Sequence, residues 1–294
     1  MRAKGNAVRN HVASMLTRIL KASGFGVHPL DQVAWVGRFD QLNSRLLADI
    51  ARNSIAGSPA ELDRRCLGAY LDGTATLARL GCPPVSQLGQ DALALGLLGH
   101  DGYFVDIGAA DPEYLSNTYL LEKHFGWSGL VVEPNPDFAA RQRLVRAPGS
   151  RTIVREVALG EDEGEASFVM ATELSALSSQ LDIVDGWQDQ RRAAAEQGDV
   201  VKVAVVRPGT VLNEAQPPST IDFLSLDVEG SELMVLRNFP LDRYRIRFAC
   251  IESNVEADAP RLDELLASSG MVRVLRGFSE QDAWFVNPDL LERA

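Results

Sequence analysis

The stretch Gly102 to Pro136, GYFVDIGAADPEYLSNTYLLEKHFGWSGLVVEPNP, decides the fold of this chain. Tyr103 to Ile107 is a short apolar run that closes on Gly108, which is typical of a buried parallel strand that ends in a sharp turn. Ser116 can cap a following helix, and Trp127 to Val132 is a second apolar run. The stretch therefore predicts a strand, a helix and a second strand in the arrangement of a βαβ unit.

Small and acidic residues follow the two strands of this unit. Gly108 ends the first strand and Glu133 ends the second. In open α/β sheets, ligands bind in the crevice beyond the carboxyl ends of the strands. We therefore expect Gly108 and Glu133 to face one shared pocket.

Composition and charge limit the classes of partner. The 294 residues include 29 basic and 40 acidic ones, for a net charge of −11. This balance argues against a nucleic-acid partner, since such proteins neutralise phosphates with basic residues. The three cysteines have no CxxC spacing, which favours reduced thiols over disulfides or a zinc site. We find neither an apolar run of about 20 residues nor a secretory signal, so we expect a cytoplasmic protein.

Helical patterns occupy the first part of the chain. Apolar residues recur at helical spacing in Ala7 to Lys21, in Asp40 to Ser54 and in Pro59 to Leu80. Residues 1–84 are therefore predicted to form a helical extension that caps the domain formed by residues 85–294, or that makes a homodimer contact. Because residues 1–30 contain basic but no acidic side chains, the first helix has an alternative role in weak peripheral contact with an anionic membrane.

Beyond Pro136 the chain continues to alternate between strands and helices. Further strands are predicted at 152–159, 166–170, 200–206, 221–227, 246–252, 271–275 and 282–286. Residues 172–198 form a polar excursion that is either a solvated loop or a lid over a site. The alternation predicts an α/β fold with a doubly wound, mostly parallel sheet.

The ends of the predicted strands match the chemical demands of S-adenosylmethionine. Gly108 allows a ligand to approach the backbone closely, and Asp106 can orient the turn or receive the ligand's ammonium group. Glu133 can accept hydrogen bonds from both ribose hydroxyls. Ala158 and Leu159 can wall the adenine ring. A dinucleotide fits less well, because the turn is acidic and lacks the glycines of the GxGxxG pattern.

Three separated blocks, FVDIGAADPEYLSNTYLLEKHFGWSGLVVEPNP, IDFLSLDVEGSELMVLRNF and IESN, resemble the FkbM-type S-adenosylmethionine-dependent methyltransferases. The resemblance includes Gln87 to Asp91 and covers roughly residues 86–286. It implies a class I, Rossmann-like fold with a seven-stranded sheet in residues 85–294. It also implies methyl transfer, usually to a hydroxyl of a sugar, a polyketide or another natural-product or glycan acceptor.

The resemblance also assigns site residues. It implies cofactor contacts at Asp106, Gly108, Ala109, Ser116, Asn117, Thr118, Glu133 and Asn135, and it implies Asp227, Glu229 and Gly230 at the reaction side. The sequence departs from the family pattern twice, with Pro112 in place of a usual glycine and Ser253 in place of a usual histidine. These departures leave open a non-catalytic binding module that kept the fold.

The acidic strand ends offer two ways to activate a hydroxyl acceptor. Asp227 can act as a general base if burial raises its pKa, with Glu229 at the same side as a second catalytic candidate. Alternatively, Asp227, Glu252 and Asn254 can hold Mg²⁺ or another divalent cation, since hard oxygen ligands suit that ion. A bound cation would lower the pKa of the hydroxyl. The runner-up from another enzyme class is an NAD-dependent oxidoreductase or epimerase.

Overall fold

The computed structural model describes residues 59–82, 84–146, 149–171, 175–181, 188–276, 278–279 and 281–291. The helical patterns at 7–21 and 40–54 lie outside the described residues, and a domain boundary at residue 84 stays a prediction. The third pattern is confirmed as a helix at Pro59–Arg79. Within the described ranges, no helix is both long and apolar enough to cross a lipid bilayer.

The described residues alternate between helices and strands. The helices are Pro59–Arg79, Gln90–Leu98, Tyr119–Phe125, Pro136–Val145, Gln188–Gln197, Pro208–Ala215, Glu232–Arg237, Ala259–Ser268 and Pro288–Leu291, with a 3₁₀ turn at Ser178–Gln180. The strands are β1 (Tyr103–Ile107), β2 (Ser128–Val132), β3 (Ile153–Arg155), β4 (Ala158–Leu159), β5 (Gly164–Val169), β6 (Ala176–Leu177), β7 (Val200–Val206), β8 (Thr220–Leu226), β9 (Arg245–Glu252), β10 (Val272–Val274) and β11 (Asp282–Val286).

Seven strands form the main sheet, in the order β10–β11–β9–β8–β1–β2–β3. β1 pairs in parallel with β2 and β8, and β9 pairs in parallel with β8. β11 is antiparallel to both β9 and β10. The predicted α/β fold with a mixed, mostly parallel seven-stranded sheet is confirmed, and it is consistent with a Rossmann-like arrangement. The carboxyl ends of β2, β1, β8 and β9 consequently share one edge.

β1 is buried on both faces of the main sheet, which explains its apolar sequence. Phe104 packs in a core with the helices Pro59–Arg79 and Gln90–Leu98. Val105 and Ile107 point to the opposite face and pack in a second core. Both faces of the sheet are therefore covered, as a doubly wound fold requires.

The prediction of a single strand at 152–159 is wrong. β3 pairs with β2 at the edge of the main sheet, whereas β4 pairs with β7 in a second, four-stranded sheet of order β4–β7–β5–β6. The chain leaves the main sheet at Glu156 and Val157 because the pairing partners of β4 lie far along the sequence, at Val205 and Val206. A run of β-forming residues predicts extended structure, but it does not determine which sheet the strand joins.

The second sheet contains two other predicted strands and part of the excursion. β7 pairs antiparallel with β5, and β5 pairs antiparallel with β6. Val203 and Val205 of β7 are buried, while Val200 is 40% exposed, so one face of this sheet meets solvent. The polar stretch 172–198 is therefore partly structured, because it supplies β6 and the helix Gln188–Gln197.

Candidate active site

A cavity opens where β1, β2, β8 and β9 end, which is the edge at which the sequence predicts a ligand site. It is lined by the turn 107–110 and Glu133, and by the neighbouring turn 226–229 and Glu252. Residues 175–177 of the second sheet cover part of it. The cavity is therefore bounded by both sheets.

The turn after β1 packs directly on the turn after β8. Gly108 has a φ of +78°, and a Cβ at this position would overlap the main-chain oxygen of Asp227. Gly108 N donates to Val132 O at 2.9 Å, and Asp227 N donates to Ile107 O at 2.9 Å. Glycine is therefore required here by the contact between two strand ends, in addition to any approach of a ligand.

Asp106 is held by a chain of hydrogen bonds. Thr118 Oγ1 donates to Asp106 Oδ2 at 2.6 Å, and Arg146 Nη2 donates to Thr118 Oγ1 at 2.8 Å. On the other side, Asn117 Nδ2 donates to Ser225 Oγ at 3.0 Å, and Ser225 hydrogen-bonds Asp106. Burial raises the pKa of Asp106, while Thr118 and the charge of Arg146 lower it. These contacts fix the orientation of Asp106 at the cavity wall.

Arg146 also supports the loop after β1. Arg146 Nε donates to Gln142 Oε1 at 2.7 Å, and Gln142 Nε2 donates to the main-chain oxygen of Ala110 at 3.0 Å. Arg146 pairs with Glu122 at 2.5 Å, and only 2% of its side chain is exposed. A buried network in which the polar groups have partners is rigid. The network therefore holds this wall of the cavity in one conformation.

Glu133 is buried at the end of β2, and both of its carboxylate oxygens accept main-chain hydrogen bonds. Ala110 N donates to Oε2 at 2.7 Å, and Asn135 N donates to Oε1 at 2.7 Å. Burial raises the pKa of Glu133 to about 7, although these two hydrogen bonds act in the opposite direction. Each oxygen keeps a second lone pair. Glu133 can therefore accept hydrogen bonds from the two hydroxyls of a diol.

An apolar wall lies beyond the end of β2. Phe138, Val157, Ala158 and Leu159 line this part of the cavity, and Phe168 reaches it from β5. Val157, Ala158 and Leu159 are buried. Apolar walls with a few polar groups at one end are common in sites for small molecules, and this one suits a planar aromatic ring.

Three carboxylates meet at the ends of β8 and β9. Carboxylate oxygens of Asp227, Glu229 and Glu252 all lie within 4.8 Å of one another. Asp227 is exposed and lines the cavity, whereas Glu229 is buried. Burial, followed by repulsion from the neighbouring carboxylates, raises the pKa values of Asp227 and Glu252 well above their usual range. This acidic cluster can therefore hold a proton or a cation near neutral pH.

The comparison with protein families agrees with this geometry. A family model described as Methyltransferase FkbM domain matches residues 106–272, which is more than half of the 294 residues. The chain belongs to the FkbM methyltransferase family. Membership supports a methyltransferase, and methyltransferases in general use S-adenosylmethionine. No curated protein and no solved structure matches the chain.

The FkbM domain gathers most of the predicted site residues around the cavity. Those that line it are Asp106, Gly108, Ala109, Asn117, Glu133, Ala158, Leu159, Asp227, Glu229 and Glu252. Residues predicted from five separate parts of the sequence thus face one space. Their contact with a bound donor or acceptor remains a prediction.

Five predicted residues do not line the cavity, namely Ser116, Thr118, Asn135, Gly230 and Asn254. Ser116 Oγ accepts hydrogen bonds from Thr118 N at 3.4 Å and Tyr119 N at 3.2 Å, but the helix Tyr119–Phe125 has Thr118 at its N-cap, so the prediction that Ser116 caps this helix is wrong. Asn135 Oδ1 caps the helix Pro136–Val145 with a hydrogen bond of 3.0 Å. Asn254 Nδ2 donates to Glu252 Oε1 at 2.5 Å. These side chains orient parts of the wall, and a metal-binding role for Asn254 stays a prediction.

The FkbM cavity also contains residues that sequence reasoning missed. Gln90 Nε2 donates to Asp282 Oδ2 at 2.8 Å, and Trp284 Nε1 donates to the same oxygen at 3.1 Å. Burial raises the pKa of Asp282 to about 6. Gln90 and Asp282 both line the cavity. The available signals were the acidic start of the apolar run DAWFV and the glutamines in Gln87 to Asp91.

Pro112, one of the two departures from the FkbM pattern, lies in a closed turn. Asp111 Oδ1 accepts hydrogen bonds from Glu113 N and Tyr114 N, each at 2.9 Å. The two residues after the proline supply the N–H groups of this turn, so the proline's missing N–H is not needed. The turn therefore forms without the usual glycine.

Proposed function

We propose that this FkbM protein is an S-adenosylmethionine-dependent O-methyltransferase that acts on a hydroxyl of a sugar, a polyketide or another natural-product or glycan acceptor. One observation carries the proposal: a single cavity joins Glu133, which can bind a diol, to the acidic cluster of Asp227, Glu229 and Glu252. The first feature suits the ribose of the donor, and the second suits an acceptor that must lose a proton.

The wall around β1 and β2 fits the parts of the donor in order. The apolar wall with Phe138 and Leu159 suits the adenine ring, and Glu133 suits the ribose hydroxyls. Asp106 lies next along the same wall, where a carboxylate attracts the ammonium group of the methionine part. The donor would therefore direct its sulfonium toward Asp227.

Asn117 gives independent support for the amino-acid end of the donor. Asn117 lines the cavity, and its Oδ1 is buried without a hydrogen bond from any described residue. Buried acceptors are almost always hydrogen-bonded, so this oxygen needs a donor group. The ammonium group of S-adenosylmethionine can supply one.

Methyl transfer to a hydroxyl requires in-line approach and removal of the hydroxyl proton. We assign the role of general base to Asp227, which opens to the cavity. Its pKa is raised by burial first, and then by the charges of Glu229, Glu232 and Asp282. A base with a pKa closer to neutral accepts the proton more effectively. Glu252 hydrogen-bonds Asp227, so the pair can share the proton after transfer.

The proposal also includes a divalent cation bound by the acidic cluster. Asp227, Glu229 and Glu252 would hold it, because three carboxylates this close repel one another and offer the hard oxygen ligands that Mg²⁺ prefers. A bound cation supplies charge that lowers the pKa of the acceptor hydroxyl. Asn254 orients Glu252 in this arrangement through the hydrogen bond between them.

The test combines binding with product detection. S-adenosylhomocysteine and NAD are titrated separately by calorimetry into the wild-type chain and into Glu133→Ala. We expect binding of S-adenosylhomocysteine that weakens in the variant, and no binding of NAD. The chain is then incubated with S-adenosylmethionine and a panel of hydroxylated acceptors, with and without a chelator, and products are detected by mass spectrometry.

Each result has a distinct meaning. Tight NAD binding without a response to S-adenosylhomocysteine would overturn the proposal in favour of an oxidoreductase or epimerase. Donor binding without a methylated product from any acceptor would favour a non-catalytic binding module. Full turnover of chelator-treated protein without added metal would eliminate the cation and leave Asp227 as the base.

A further inference from the structure

Arg191 is a buried arginine in a helix whose other residues are half-buried or exposed. The helix Gln188–Gln197 is fully described, and Arg191 is the one residue in it that is buried, with no exposed side-chain surface. Arg191 Nη1 donates to Glu229 Oε2 at 3.0 Å. The ion pair is therefore a buried contact between this helix and the turn after β8.

Because both charges are buried, the ion pair must be well formed to be stable. A guanidinium and a carboxylate lose their hydration when they are buried, and only a well-formed pair offsets that loss. Glu229 shows 9% of its side chain to solvent, so neither partner of the pair is well hydrated. Loss of one partner would leave the other charge buried and unpaired, and the local structure would have to rearrange.

Glu229 lies in an unusual main-chain conformation at the reaction end of the cavity. Its φ is +54°, and Gly230 follows with a φ of +100°. A non-glycine residue persists in the left-handed region only when the surrounding structure holds it there. The carboxylate of Glu229 also belongs to the acidic cluster with Asp227 and Glu252. The position of Glu229 therefore affects the whole cluster.

The arginine also connects this turn to the covering part of the second sheet. Residues 175–177 and Gln180 line the cavity, and they precede the helix Gln188–Gln197 in the same excursion. β6 pairs with β5 through Phe168 and Leu177, so one end of the excursion is anchored in the sheet. The pair between Arg191 and Glu229 anchors the other end on the acidic cluster.

We propose that Arg191 is a positioning residue for methyl transfer: it acts through Glu229 to hold the turn 227–230 and the helix Gln188–Gln197 in the geometry that the reaction end requires. The inference rests on the proposed function for its link to catalysis. Its structural part, the contribution of this ion pair to the placement of the turn and of the helix Gln188–Gln197, stands on the contacts alone. Arg191 itself touches neither donor nor acceptor in this proposal.

The test compares Arg191→Met, Arg191→Lys and Glu229→Gln with the matched control Arg192→Met. Methionine keeps the apolar stem of arginine, and lysine keeps both the stem and the charge. Comparing these two substitutions therefore separates the effect of stem packing from the effect of ion pairing. Arg192 is the next residue of the same helix, and half of its side chain (51%) is exposed. Calorimetric titration with S-adenosylhomocysteine checks that each variant is folded and still has the proposed binding site for the methyl donor.

The first readout is amide hydrogen exchange in residues 175–181, 188–197 and 226–233, which needs no acceptor. We expect exchange about tenfold faster in Arg191→Met, the same change in Glu229→Gln, a smaller change in Arg191→Lys and none in Arg192→Met. The double variant Arg191→Met with Glu229→Gln should exchange no faster than either single variant, because both substitutions remove the same interaction.

The second readout is turnover with any acceptor found by the screen. We expect kcat to fall about 100-fold in Arg191→Met and to be partly restored in Arg191→Lys, with the KM for the donor unchanged. Exchange in Arg191→Met equal to that in Arg192→Met would overturn the inference, as would equal turnover in the two. If the wild-type chain fails to bind S-adenosylhomocysteine, the proposed function fails instead, and the exchange data still decide the role of the ion pair.

Discussion

Gly108 and Asp227 are in direct main-chain contact, because the position of a Cβ on Gly108 is occupied by the carbonyl oxygen of Asp227. One residue ends β1 and the other follows β8, the two central strands of the sheet. The donor side of the cavity and the acidic cluster are therefore joined within a few atoms. A change at this contact affects both ends of the site.

Gly108→Ala should destabilise the chain by about 3 kcal/mol, because alanine meets main-chain atoms and is strained at a positive φ. Urea unfolding followed by circular dichroism measures the loss. Gly209→Ala is the matched control, since Gly209 lies in the helix Pro208–Ala215 with no atom within 4 Å of an added Cβ. Equal stability of the two variants would contradict the close contact.

Thr118→Val should lower both the stability of the fold and the affinity for S-adenosylhomocysteine. Valine has nearly the shape of threonine but cannot donate to Asp106, so we expect a loss of about 2 kcal/mol in unfolding free energy and weaker binding of S-adenosylhomocysteine. Thr210→Val removes a hydrogen bond of 2.6 Å to the exposed Glu163 and serves as the control. If Thr118→Val matched this control in both measurements, the chain of hydrogen bonds through Thr118 would not support Asp106.

Glu133→Gln should lower the affinity for S-adenosylhomocysteine about 10- to 100-fold, since hydrogen bonds to a charged group contribute about 1.5–3 kcal/mol. Calorimetry measures the change directly. Glu156→Gln is the control, because Glu156 forms an ion pair with Arg143 in which its side chain is 41% exposed. Unchanged affinity in Glu133→Gln would remove Glu133 from the donor site.

The affinity for S-adenosylhomocysteine should depend on pH through Glu133. Burial raises the pKa of Glu133 to about 7, and the ionised form is the better acceptor for ribose hydroxyls. Affinity should therefore be highest above this pKa and fall about tenfold from about pH 8 to about pH 6. In Glu133→Gln this part of the dependence should disappear. An identical pH profile in the wild type and the variant would show that another group controls binding.

Asp227→Asn should lower turnover about 10²- to 10⁴-fold, because the amide cannot accept the acceptor proton. Binding of S-adenosylhomocysteine should persist, since Asp227 belongs to the acidic cluster rather than to the donor wall. The variant should also be at least as stable as the wild type, because the folded state raises the pKa of Asp227 and so disfavours its ionised form. Asp162→Asn, at a side chain that is 97% exposed, is the control. Normal turnover in Asp227→Asn would exclude it as base and as metal ligand.

The strands that carry the site were predictable because a short local sequence is enough to recognise each of them. β1, β2, β8 and β9 are apolar runs, and each is followed by glycine or acidic residues. Parallel strands bring such ends to one edge, which is why Gly108 and Glu133 were expected to face one pocket.

The second sheet was not predictable in the same way. Its pairing joins Ala158 and Leu159 to Val205 and Val206, and these partners are separated by the whole excursion. A short β-forming run carries no information about a partner so far away. For that reason the single strand expected at 152–159 proved to be two strands in different sheets.

Arg191 was hidden for a different reason. Apart from three alanines, the helix Gln188–Gln197 consists of polar residues, and such a helix is expected to be solvated. The burial of Arg191 follows from an ion pair with Glu229, 38 residues later in the chain. The role of Thr118 was also not predictable from its residue type. A threonine could have contacted S-adenosylmethionine, but in the structure its hydroxyl donates a hydrogen bond to Asp106.

The strand order of the main sheet has a consequence for biosynthesis. β1 and β2 are adjacent in the sequence, but β8, the other neighbour of β1, leaves the ribosome much later. Until then one edge of β1 is unpaired, and an apolar strand edge of this kind invites aggregation or chaperone binding. Because Asp227 follows β8 and Glu252 ends β9, the acidic cluster can form only after most of the chain has been synthesised.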